Sequence, residues 1–378
     1  MTDVLIYGDT FRSPELRHEV PLGIPDPFLY VERDGVKHIA IGAMEIARLA
    51  ELGLFELHPS EEYGSDDLIA AGLSYAEVRR EVALHAVQKL GVTSATVPEN
   101  LPVWLADKLR AAGVDLAVDG DFFDDRRRVK TQPQLAGIRR AQRAAEAGMD
   151  AARDLLRRSS ANGGGLELDG VPLTVERVKA AMSEAFVRNG ATSDDFIVAP
   201  GPQGAVGHDM GSGPIRAGVP IVIDVWPRDN ESFCFSDMTR TYVVGEVPDD
   251  VRKWHRLCKE ALDLALSEIK DDASGRAIFD GTCEIFEAAG EPTPRTKTPG
   301  VPLADGFFHG LGHGVGLEVH EAPGMGLASK QPLLAGDVVT VEPGCYRQGY
   351  GGVRLEDIVL VTADGAENLT RYPYDLEP

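Results

Sequence analysis

The first third of the chain alternates short apolar runs with stretches in which apolar residues recur every three or four positions. The apolar runs are Val4–Tyr7, Phe28–Val31, His38–Ile41, Ala95–Val97 and Asp115–Val118. Helical spacing is found in Ile46, Leu49 and Leu52, and again in Val78, Val82, Ala86 and Leu90. The short runs predict strands and the longer period predicts helices, so residues 1 to about 128 are expected to form an α/β domain.

A long amphipathic helix is predicted at the start of the second part. It begins at Gln132-Pro133, since proline suits the first turn of a helix, and its end is marked by Asn162–Gly165. Its apolar face carries Leu135, Ile138, Ala145, Met149, Ala152 and Leu155. The basic run Arg126–Lys130 directly before it is interpreted as a solvated linker face, which places the domain junction at about 128–132.

The remaining pattern predicts one more helix, then strands, then helices, then strands. The helix carries Val175, Val178, Met182 and Phe186 on one face and stops at Asn189-Gly190. Strands are predicted at 195–199, 219–226 and 237–245, helices at 249–270 and 274–289, and two final strands at 337–346 and 351–362. This order favours an α+β domain over a doubly wound sheet. Two domains are therefore expected, 1–128 and 129–378.

Composition and charge argue against several classes of partner. Hydrophobic residues make up 43% of the chain, enough for a sizeable core. The net charge of −22 opposes binding to nucleic acid and to anionic lipid, and no run of 18 apolar residues could span a membrane. The four cysteines form no C-x-x-C pair and the N-terminus lacks a basic segment before an apolar run, so free thiols in a cytoplasmic protein are expected.

Four carboxylates interrupt or open apolar strands of the second domain. Asp224, Glu342 and Glu356 lie within β-branched runs, and Asp237 opens a fourth strand. One such acid is more often a strand end or a local ion pair, but four in one domain favour a cation, because clustered buried carboxylates repel each other and would otherwise bind protons. Oxygen ligands with one or two imidazoles suit Mn, Co, Fe or Zn rather than a thiolate site.

Three histidines lie within a glycine-rich segment. They are His309, His313 and His320, and the intervening glycines argue against a regular helix and against an H-E-x-x-H metal site. Glycine here is expected to let the backbone approach a ligand closely. The other histidines of the first domain are scattered singly and are interpreted as surface or core residues, as is one in a plain helix of the second domain: His18, His38, His58, His85 and His255.

Taken in order, these motifs resemble the pita-bread metallopeptidase family, which includes methionine aminopeptidase, aminopeptidase P, prolidase and creatinase. The motifs are Asp224, Ser236-Asp237, His309-Gly-x-Gly-His313, His320-Glu-x-Pro, Val341-Glu342-Pro and Arg354-x-Glu356-Asp. The resemblance covers about 130–378, and by position the first domain is similar to the creatinase-type N-terminal domain of the aminopeptidase P and prolidase branch. It implies an α+β pita-bread catalytic domain preceded by a smaller α/β domain.

The resemblance also implies roles for individual residues. Asp224 would bind a first metal, His313 and Glu342 a second, and Asp237 and Glu356 would bridge both. The catalytic residues implied are His208, His309, His320, Glu342 and Arg354. Among these, Glu342 is expected to carry the proton, His320 to stabilise the oxyanion, and His208 or His309 to hold the substrate. Tyr346 and Arg354 match positions that contact substrate or the bridging groups.

The implied activity is hydrolysis of X-Pro peptide bonds, as an X-Pro aminopeptidase or X-Pro dipeptidase. Two divalent metal ions are implied, Mn first and Co, Zn or Fe as alternatives, with a homodimer acting on peptides that carry proline in second position. Two other functions stay open: a metal-dependent member acting on another small C–N or C–S substrate, and a non-catalytic binding protein that kept the fold. Trp226 replaces a glycine common in the family, and Asp229 and Glu231 in the next turn are expected to be solvated acids.

Overall fold

The computed structural model describes residues 2–378. The chain divides into two compact units, Met1–Arg127 and Arg128–Pro378. The two domains assigned from sequence, 1–128 and 129–378, stay predictions, because compactness alone does not say what either unit does.

The first unit is built on one six-stranded mixed sheet. Its strands are β1 (Asp3–Gly8), β2 (Phe28–Arg33), β3 (Val36–Ile41), β4 (Glu56–Pro59), β5 (Ser94–Val97) and β6 (Asp115–Val118), and its helices are α1 (Pro14–Glu19), α2 (Ala43–Ala50), α3 (Ser65–Ala70), α4 (Tyr75–Lys89), α5 (Val103–Ala111) and α6 (Gly120–Arg128). The strand order is β4-β3-β2-β1-β5-β6, which leaves β4 and β6 at the edges. Each face of the sheet carries its own apolar core, which is why the strands read as nearly continuous apolar runs.

The second unit combines helices with several small antiparallel sheets. Its helices are α7 (Gln132–Arg158), α8 (Val175–Arg188), α9 (Asp249–Glu268) and α10 (Gly275–Ala288). Its strands are β7 (Ser160–Asn162), β8 (Gly165–Leu168), β9 (Val171–Pro172), β10 (Ala191–Thr192), β11 (Ile197–Pro200), β12 (Ile221–Val225), β13 (Arg228–Asp229), β14 (Met238–Tyr242), β15 (Gly312–Gly314), β16 (Glu321–Met325), β17 (Val338–Val341), β18 (Gly344–Arg347), β19 (Gly351–Arg354), β20 (Asp357–Val361) and β21 (Ala366–Asn368).

Two helix pairs pack against two groups of strands in this unit. One core joins α7 and α8 to the three-stranded sheet β11-β12-β14, and another joins α9 and α10 to strands β17 to β20. Helix α7 starts with a capping box, in which Thr131 and Gln134 bond each other's backbone N–H groups. It packs on α8 where Phe186 lies against Gly148, whose added Cβ would be 2.2 Å from the Phe186 ring. Burying that ring contributes about 1.5–3 kcal/mol.

The two final predicted strands are each broken in two. The predicted strand 337–346 is interrupted at Glu342-Pro343, and the predicted strand 351–362 is interrupted at Leu355-Glu356. Proline cannot donate to a ladder, which explains the first break. The halves then pair differently, β17 with β20 and β18 with β19. Both breaks fall at glutamates that the sequence nominated as metal ligands.

Two surface predictions are wrong. Within the supposed linker, Arg128 is 3% exposed, and its guanidinium donates to both oxygens of buried Asp337 at 2.7 and 3.1 Å. Asp229, expected to be a solvated loop acid, is 3% exposed and accepts two hydrogen bonds from Arg140 at 2.8 and 2.9 Å. Burial of a charge requires a partner, and local sequence did not reveal these distant arginine and carboxylate pairs. Glu231 is exposed as expected.

The cysteine and membrane expectations can be compared with the described residues. Four cysteines are buried and free, which confirms the prediction of free thiols: Cys234, Cys258, Cys283 and Cys345. Among residues 2–378, no helix combines the length and apolar character required to cross a bilayer.

Candidate metal centre

Two of the nominated carboxylates come from the sheet β11-β12-β14. Asp224 lies in β12 and pairs in register with Thr239 of β14, while Asp237 directly precedes β14. Residues two apart on a strand share a face, so Asp237 and Thr239 project to the same side as Asp224. Asp237 is 4% exposed, and Asp224 is partly buried.

The other two carboxylates come from the ends of the antiparallel pair β17 and β20. The register of the pair brings Glu342 and Glu356 opposite each other just beyond the last paired residues. The backbone N–H of Glu342 donates to the carbonyl of Leu311 at 2.8 Å, and that of Glu356 donates to the carbonyl of Thr239 at 3.0 Å. Each glutamate is thereby fixed to a different neighbouring segment, and Glu356 is tied directly to the strand that follows Asp237.

His313 is placed by the short strand β15 with a glycine on either side. An added Cβ would lie 2.1 Å from the Thr340 carbonyl oxygen at Gly312 and 2.3 Å from the Ala322 carbonyl oxygen at Gly314. Close approach of neighbouring strands therefore requires these two glycines. The expected close approach of the backbone to a ligand stays a prediction. The His313 N–H donates to Thr340 Oγ1 at 3.0 Å. Its ring Nδ1 lies 3.1 Å from the Gly314 carbonyl oxygen, which assigns the ring proton to Nδ1 and leaves the Nε2 lone pair free.

The side chains of these segments converge. His313 Nε2 lies 3.6 Å from Glu342 Oε1 and 3.9 Å from Asp237 Oδ2. One ligand atom each from Asp237, His313 and Glu356 lie within 4.8 Å of one another. Asp224 and Glu342 line the same cavity, so all five nominated ligands face one space.

The carboxyl groups compete for protons in this space. Burial is the main cause that raises the pKa of Asp237 and Glu356 well above the usual range, and the neighbouring carboxylates raise both further. Burial likewise raises the pKa of Glu342 to about 8, against the opposing effect of Arg354. Such an arrangement needs either protons or cations to persist at neutral pH.

Two observations fit the residues to divalent cations. Asp224 Oδ1 and Asp237 Oδ1 are buried and have no hydrogen-bond partner among residues 2–378, although a buried carboxylate oxygen normally has one. The donor set of carboxylate oxygens and one imidazole is that of Mn, Fe, Co or Zn sites. Burial is the main cause that lowers the pKa of His313 to about 4, with His320 adding to it, so the ring is neutral as metal binding requires.

A hydrogen-bonded chain connects the carboxylates to a second histidine. Arg354 donates from Nη2 to Asp224 Oδ2 at 2.5 Å, from Nε to Thr239 Oγ1 at 3.1 Å and from Nη1 to the Tyr346 hydroxyl at 2.8 Å. Thr239 in turn donates to Glu356 Oε2 at 2.7 Å. The Tyr346 hydroxyl lies 3.0 Å from His309 Nε2.

The tautomer of His309 follows from its other ring nitrogen. Nδ1 lies 2.7 Å from the Gly310 carbonyl oxygen and carries the proton, so Nε2 accepts from Tyr346. Burial, and then the charge of Arg354, lower the pKa of His309 to about 3. This histidine is therefore a neutral group of fixed orientation beside the carboxylates.

The remaining nominated histidines, His208 and His320, line the same cavity, which has a volume of about 920 Å³. The ring of His320 packs edge-on against that of His313, with 4.2 Å between their centroids, and burial lowers its pKa. His208 lies in the loop before β12. Four apolar residues that line this cavity were not predicted as site residues from the sequence: Val206, Met210, Phe308 and Val319. No local motif marks them, but their adjacency to His208, His309 and His320 is a signal that could have found them.

Trp226 also lines the cavity, two residues after Asp224. The sequence identified it only as a departure from the family pattern. Thr239 was not predicted as a site residue, and its hydrogen bonds to Arg354 and Glu356 became apparent from the fold.

Solved structures named prolidase and X-Pro aminopeptidase share this fold. The structure of prolidase from Pyrococcus furiosus superposes with a TM-score of 0.77 at 23% identity, covering 99% of this chain and 97% of that one. The profile of metallopeptidase family M24 matches residues 136–363, and the chain belongs to that family. The predicted fold class, an α+β pita-bread domain preceded by a smaller α/β domain, is confirmed.

Sequence relatives match mainly over part of the chain. The Xaa-Pro dipeptidase of Pyrococcus furiosus is 36% identical over 205 residues, which are 53% of this chain and 55% of that protein. The probable dipeptidase PepE of Mycobacterium tuberculosis is 33% identical over 201 residues, covering 53% and 50%. The matched stretch thus spans about half the length of these curated relatives.

Proposed function

We propose that this protein is a metal-dependent hydrolase that cleaves the peptide bond before proline, as an X-Pro aminopeptidase or X-Pro dipeptidase. Membership of the M24 metallopeptidase family supports the reaction class, and a relative named Xaa-Pro dipeptidase supports the substrate class. The observation that carries the proposal is the convergence of Asp237, His313 and Glu356 in a cavity where Asp237 Oδ1 has no hydrogen-bond partner.

Five residues would hold the metal. We assign Asp224 to one ion, His313 and Glu342 to the other, and Asp237 and Glu356 to both. Four carboxylates match the charge of two divalent cations, with manganese as the first candidate and cobalt, zinc or iron as alternatives. Bound divalent ions would supply Lewis acidity to the scissile carbonyl and lower the pKa of a bound water from ~15.7 to about 7.

Glu342 is proposed as the group that moves the proton. Its carboxylate takes a proton from the attacking water as the water oxygen bonds to the carbonyl carbon of the residue before proline. It then gives that proton to the proline nitrogen as the C–N bond breaks, so the product leaves as a secondary amine. The position of Glu342 Oε1, 3.6 Å from His313 Nε2, keeps the carboxylate next to the other ligands.

The histidines around the carboxylates would orient the substrate and stabilise developing charge. His320 would donate a hydrogen bond to the oxyanion, a kind of contact whose loss typically costs ~100- to 1,000-fold in rate. His208 and His309 would hold the imide or the N-terminal residue. Arg354, which lines the same cavity, would keep Asp224 and Tyr346 in place through the hydrogen bonds described above.

A preference for proline has a physical basis in this cavity. An X-Pro bond is a tertiary amide without N–H, so the site needs no acceptor there and must instead accommodate a ring of fixed φ. Apolar side chains line the same cavity as the carboxylates and are proposed to contact that ring: Val206, Met210, Trp226 and Phe308. A homodimer, a cytoplasmic location and the absence of nucleic-acid or membrane partners remain predictions from the sequence.

A second candidate stays within metal-dependent enzymes. Trp226 lines the cavity at a position where the family commonly has glycine, and its bulk would favour a differently shaped small substrate with a C–N or C–S bond. The third possibility, a non-catalytic binding protein, is opposed by the complete set of five ligands around one cavity.

Dipeptide hydrolysis with defined metal content tests the proposal. Protein stripped with a chelator and reloaded with manganese should release proline from Ala-Pro and leave Ala-Ala largely intact. Comparison of Ala-Pro with Ala-Pro-Ala distinguishes dipeptidase from aminopeptidase. Metal uptake without cleavage of either X-Pro substrate would favour the second candidate, and the absence of metal uptake would favour a binding protein.

A further inference from the structure

Two histidines that stand 20 residues apart in the sequence meet on the surface of the first unit. His38 Nδ1 lies 3.2 Å from His58 Nε2. Strands β3 and β4 are parallel, with His38 opposite Glu56 and Ala40 opposite His58. Since alternate strand residues share a face, His38, Glu56 and His58 project on the same side of the sheet. The sequence reasoning treated both histidines as scattered surface or core residues.

A carboxylate completes the cluster. Glu56 Oε2 lies 3.3 Å from the same His38 Nδ1, and one ligand atom each from His38, Glu56 and His58 lie within 4.8 Å of one another. A tetrahedral zinc ion with bonds of 2.0–2.1 Å to nitrogen holds two ligand nitrogens roughly 3.3 Å apart. The two separations from His38 Nδ1, 3.2 Å to His58 Nε2 and 3.3 Å to Glu56 Oε2, therefore match those of ligands that share one such ion.

A neighbouring carboxylate favours the tautomer of His58 that a metal needs. Its Nδ1 lies 3.3 Å from Glu62 Oε2, so Nδ1 can carry the proton and donate to that carboxylate. The lone pair is then on Nε2, which is the atom facing His38. A carboxylate that orients a ligating imidazole from behind is the usual surrounding of zinc-bound histidine.

The two rings are partly shielded and therefore held in place. The side chains of His38 and His58 are only 14% and 20% exposed, whereas Glu56 is 62% exposed and able to swing toward an ion. The Tyr63 ring packs against His58 with 5.9 Å between centroids. Two positioned imidazoles and one mobile carboxylate leave one coordination position open to water or to another ligand.

We propose that His38, Glu56 and His58 form a zinc-binding site in the first unit, separate from the candidate metal centre of the second unit. Imidazole and carboxylate donors in this ratio suit Zn²⁺ among the common divalent cations. The bound ion would cross-link β3 to the edge strand β4, which has no other strand neighbour. The bound zinc would hold this edge strand in place, and the site would take no part in peptide hydrolysis.

Zinc content and zinc-edge anomalous scattering of the full chain test this site. Wild-type protein dialysed against zinc should bind one zinc ion per chain more than the His38→Ala/His58→Ala variant, and crystals should show an anomalous peak between the two rings. The matched control His85→Ala removes another histidine of the same unit, whose Nδ1 bonds the Tyr63 carbonyl, and should keep the full zinc content. Proline release by all three proteins should be equal.

If the double variant folds poorly, two further measurements test the zinc site. Glu62→Gln leaves all three ligands in place but loosens His58, so zinc affinity at this site should fall about 10-fold or more. Equal zinc content in wild type and the His38→Ala/His58→Ala variant, equal zinc affinity in wild type and Glu62→Gln, or an anomalous map with no peak beside His38 would overturn the site and leave a hydrogen bond between the two rings. None of these results depends on whether the second unit cleaves X-Pro bonds.

Discussion

The guanidinium of Arg354 holds one oxygen of Asp224, Oδ2, at 2.5 Å, and the other oxygen, Oδ1, is buried without a hydrogen-bond partner. The arginine thus fixes the direction of the carboxylate while leaving one lone-pair acceptor free for a cation. Because the same guanidinium also bonds Thr239 and Tyr346, one residue orients three groups around the cavity.

Arg354→Lys keeps the positive charge but removes the planar fork that bonds three partners at once. We expect metal affinity to fall about 10- to 100-fold, as is typical when the partners of metal ligands are lost. Manganese titration and kcat/KM for Ala-Pro measure the effect. Arg347→Lys, a change at a 45% exposed side chain, is the matched control. Unchanged metal affinity in Arg354→Lys would count against the positioning role.

Asp237→Asn and Glu356→Gln are each expected to lose metal and nearly all activity. Both side chains are almost fully buried, and each is assigned to both ions. Metal content by mass spectrometry and Ala-Pro hydrolysis measure the two effects. Glu231→Gln makes the same kind of change at an 83% exposed side chain and should leave both quantities near wild type. Full metal occupancy in both site variants would remove the bridging assignment.

His320→Ala should separate metal binding from turnover. The ring contacts His313 only edge-on and is not among the proposed ligands, so metal content should stay near wild type. Loss of the proposed oxyanion donor should lower kcat about 100- to 1,000-fold with a smaller effect on KM. Wild-type kcat in this variant would exclude the assigned role.

Metal-free protein should become less stable as the pH rises from about 6.5 to 8. The folded-state pKa of Glu342 is raised to about 8, and those of Asp237 and Glu356 are raised as well, so the folded protein binds protons that the unfolded chain has released. Stability therefore falls with pH by up to about 1.4 kcal/mol per pH unit for each such carboxyl.

The histidines set the lower limit of the pH range in which this decrease in stability is expected. His309 and His313 have pKa values lowered to about 3 and about 4, so their contribution is lost as the pH falls below about 6.5 and is complete above it. Urea unfolding at several pH values, with chelator and with manganese, measures the trend. Saturating manganese should reduce this dependence of stability on pH. A metal-free protein whose stability rises across pH 6.5–8 would contradict the buried carboxylate cluster.

Lys130→Met should destabilise the second unit strongly. Lys130 Nζ lies 2.5 Å from Glu321 Oε2, and both side chains are 3% exposed. Removal of one member of a buried pair typically costs 3–5 kcal/mol. Arg188→Met breaks a pair with Glu184 whose side chains are 75% and 63% exposed, and about 0–1 kcal/mol is expected there. Equal decreases in the free energy of unfolding for the two variants, measured with urea, would mean that burial of the ion pair does not determine the effect.

Periodicity predicted the elements whose burial follows a regular face. Helix α8, for example, has its buried residues at the predicted spacing, from Val178 to Phe186, and ends at the predicted Asn189-Gly190. The strand that carries Asp224 and the strand that directly follows Asp237 were also predicted, since an apolar run and an acid within it or beside it are visible locally. These features depend on residues that are close in sequence, so a single sequence is sufficient to predict them.

Features that depend on distant partners could not be predicted in this way. The breaks at Glu342-Pro343 and Leu355-Glu356 arise because each predicted strand divides between two sheets. The burial of Arg128 depends on Asp337, more than 200 residues away, and the contact of His38 with His58 depends on the register of β3 and β4. Sequence spacing contains no direct signal of such pairings.

Five side chains of the second unit are proposed to hold two divalent cations, and anomalous scattering from crystals soaked in manganese would locate these ions. We expect two peaks about 3.5–4 Å apart, enclosed by Asp224, Asp237, His313, Glu342 and Glu356. Manganese peaks elsewhere with none in this cavity, under conditions that support Ala-Pro hydrolysis, would contradict this proposal.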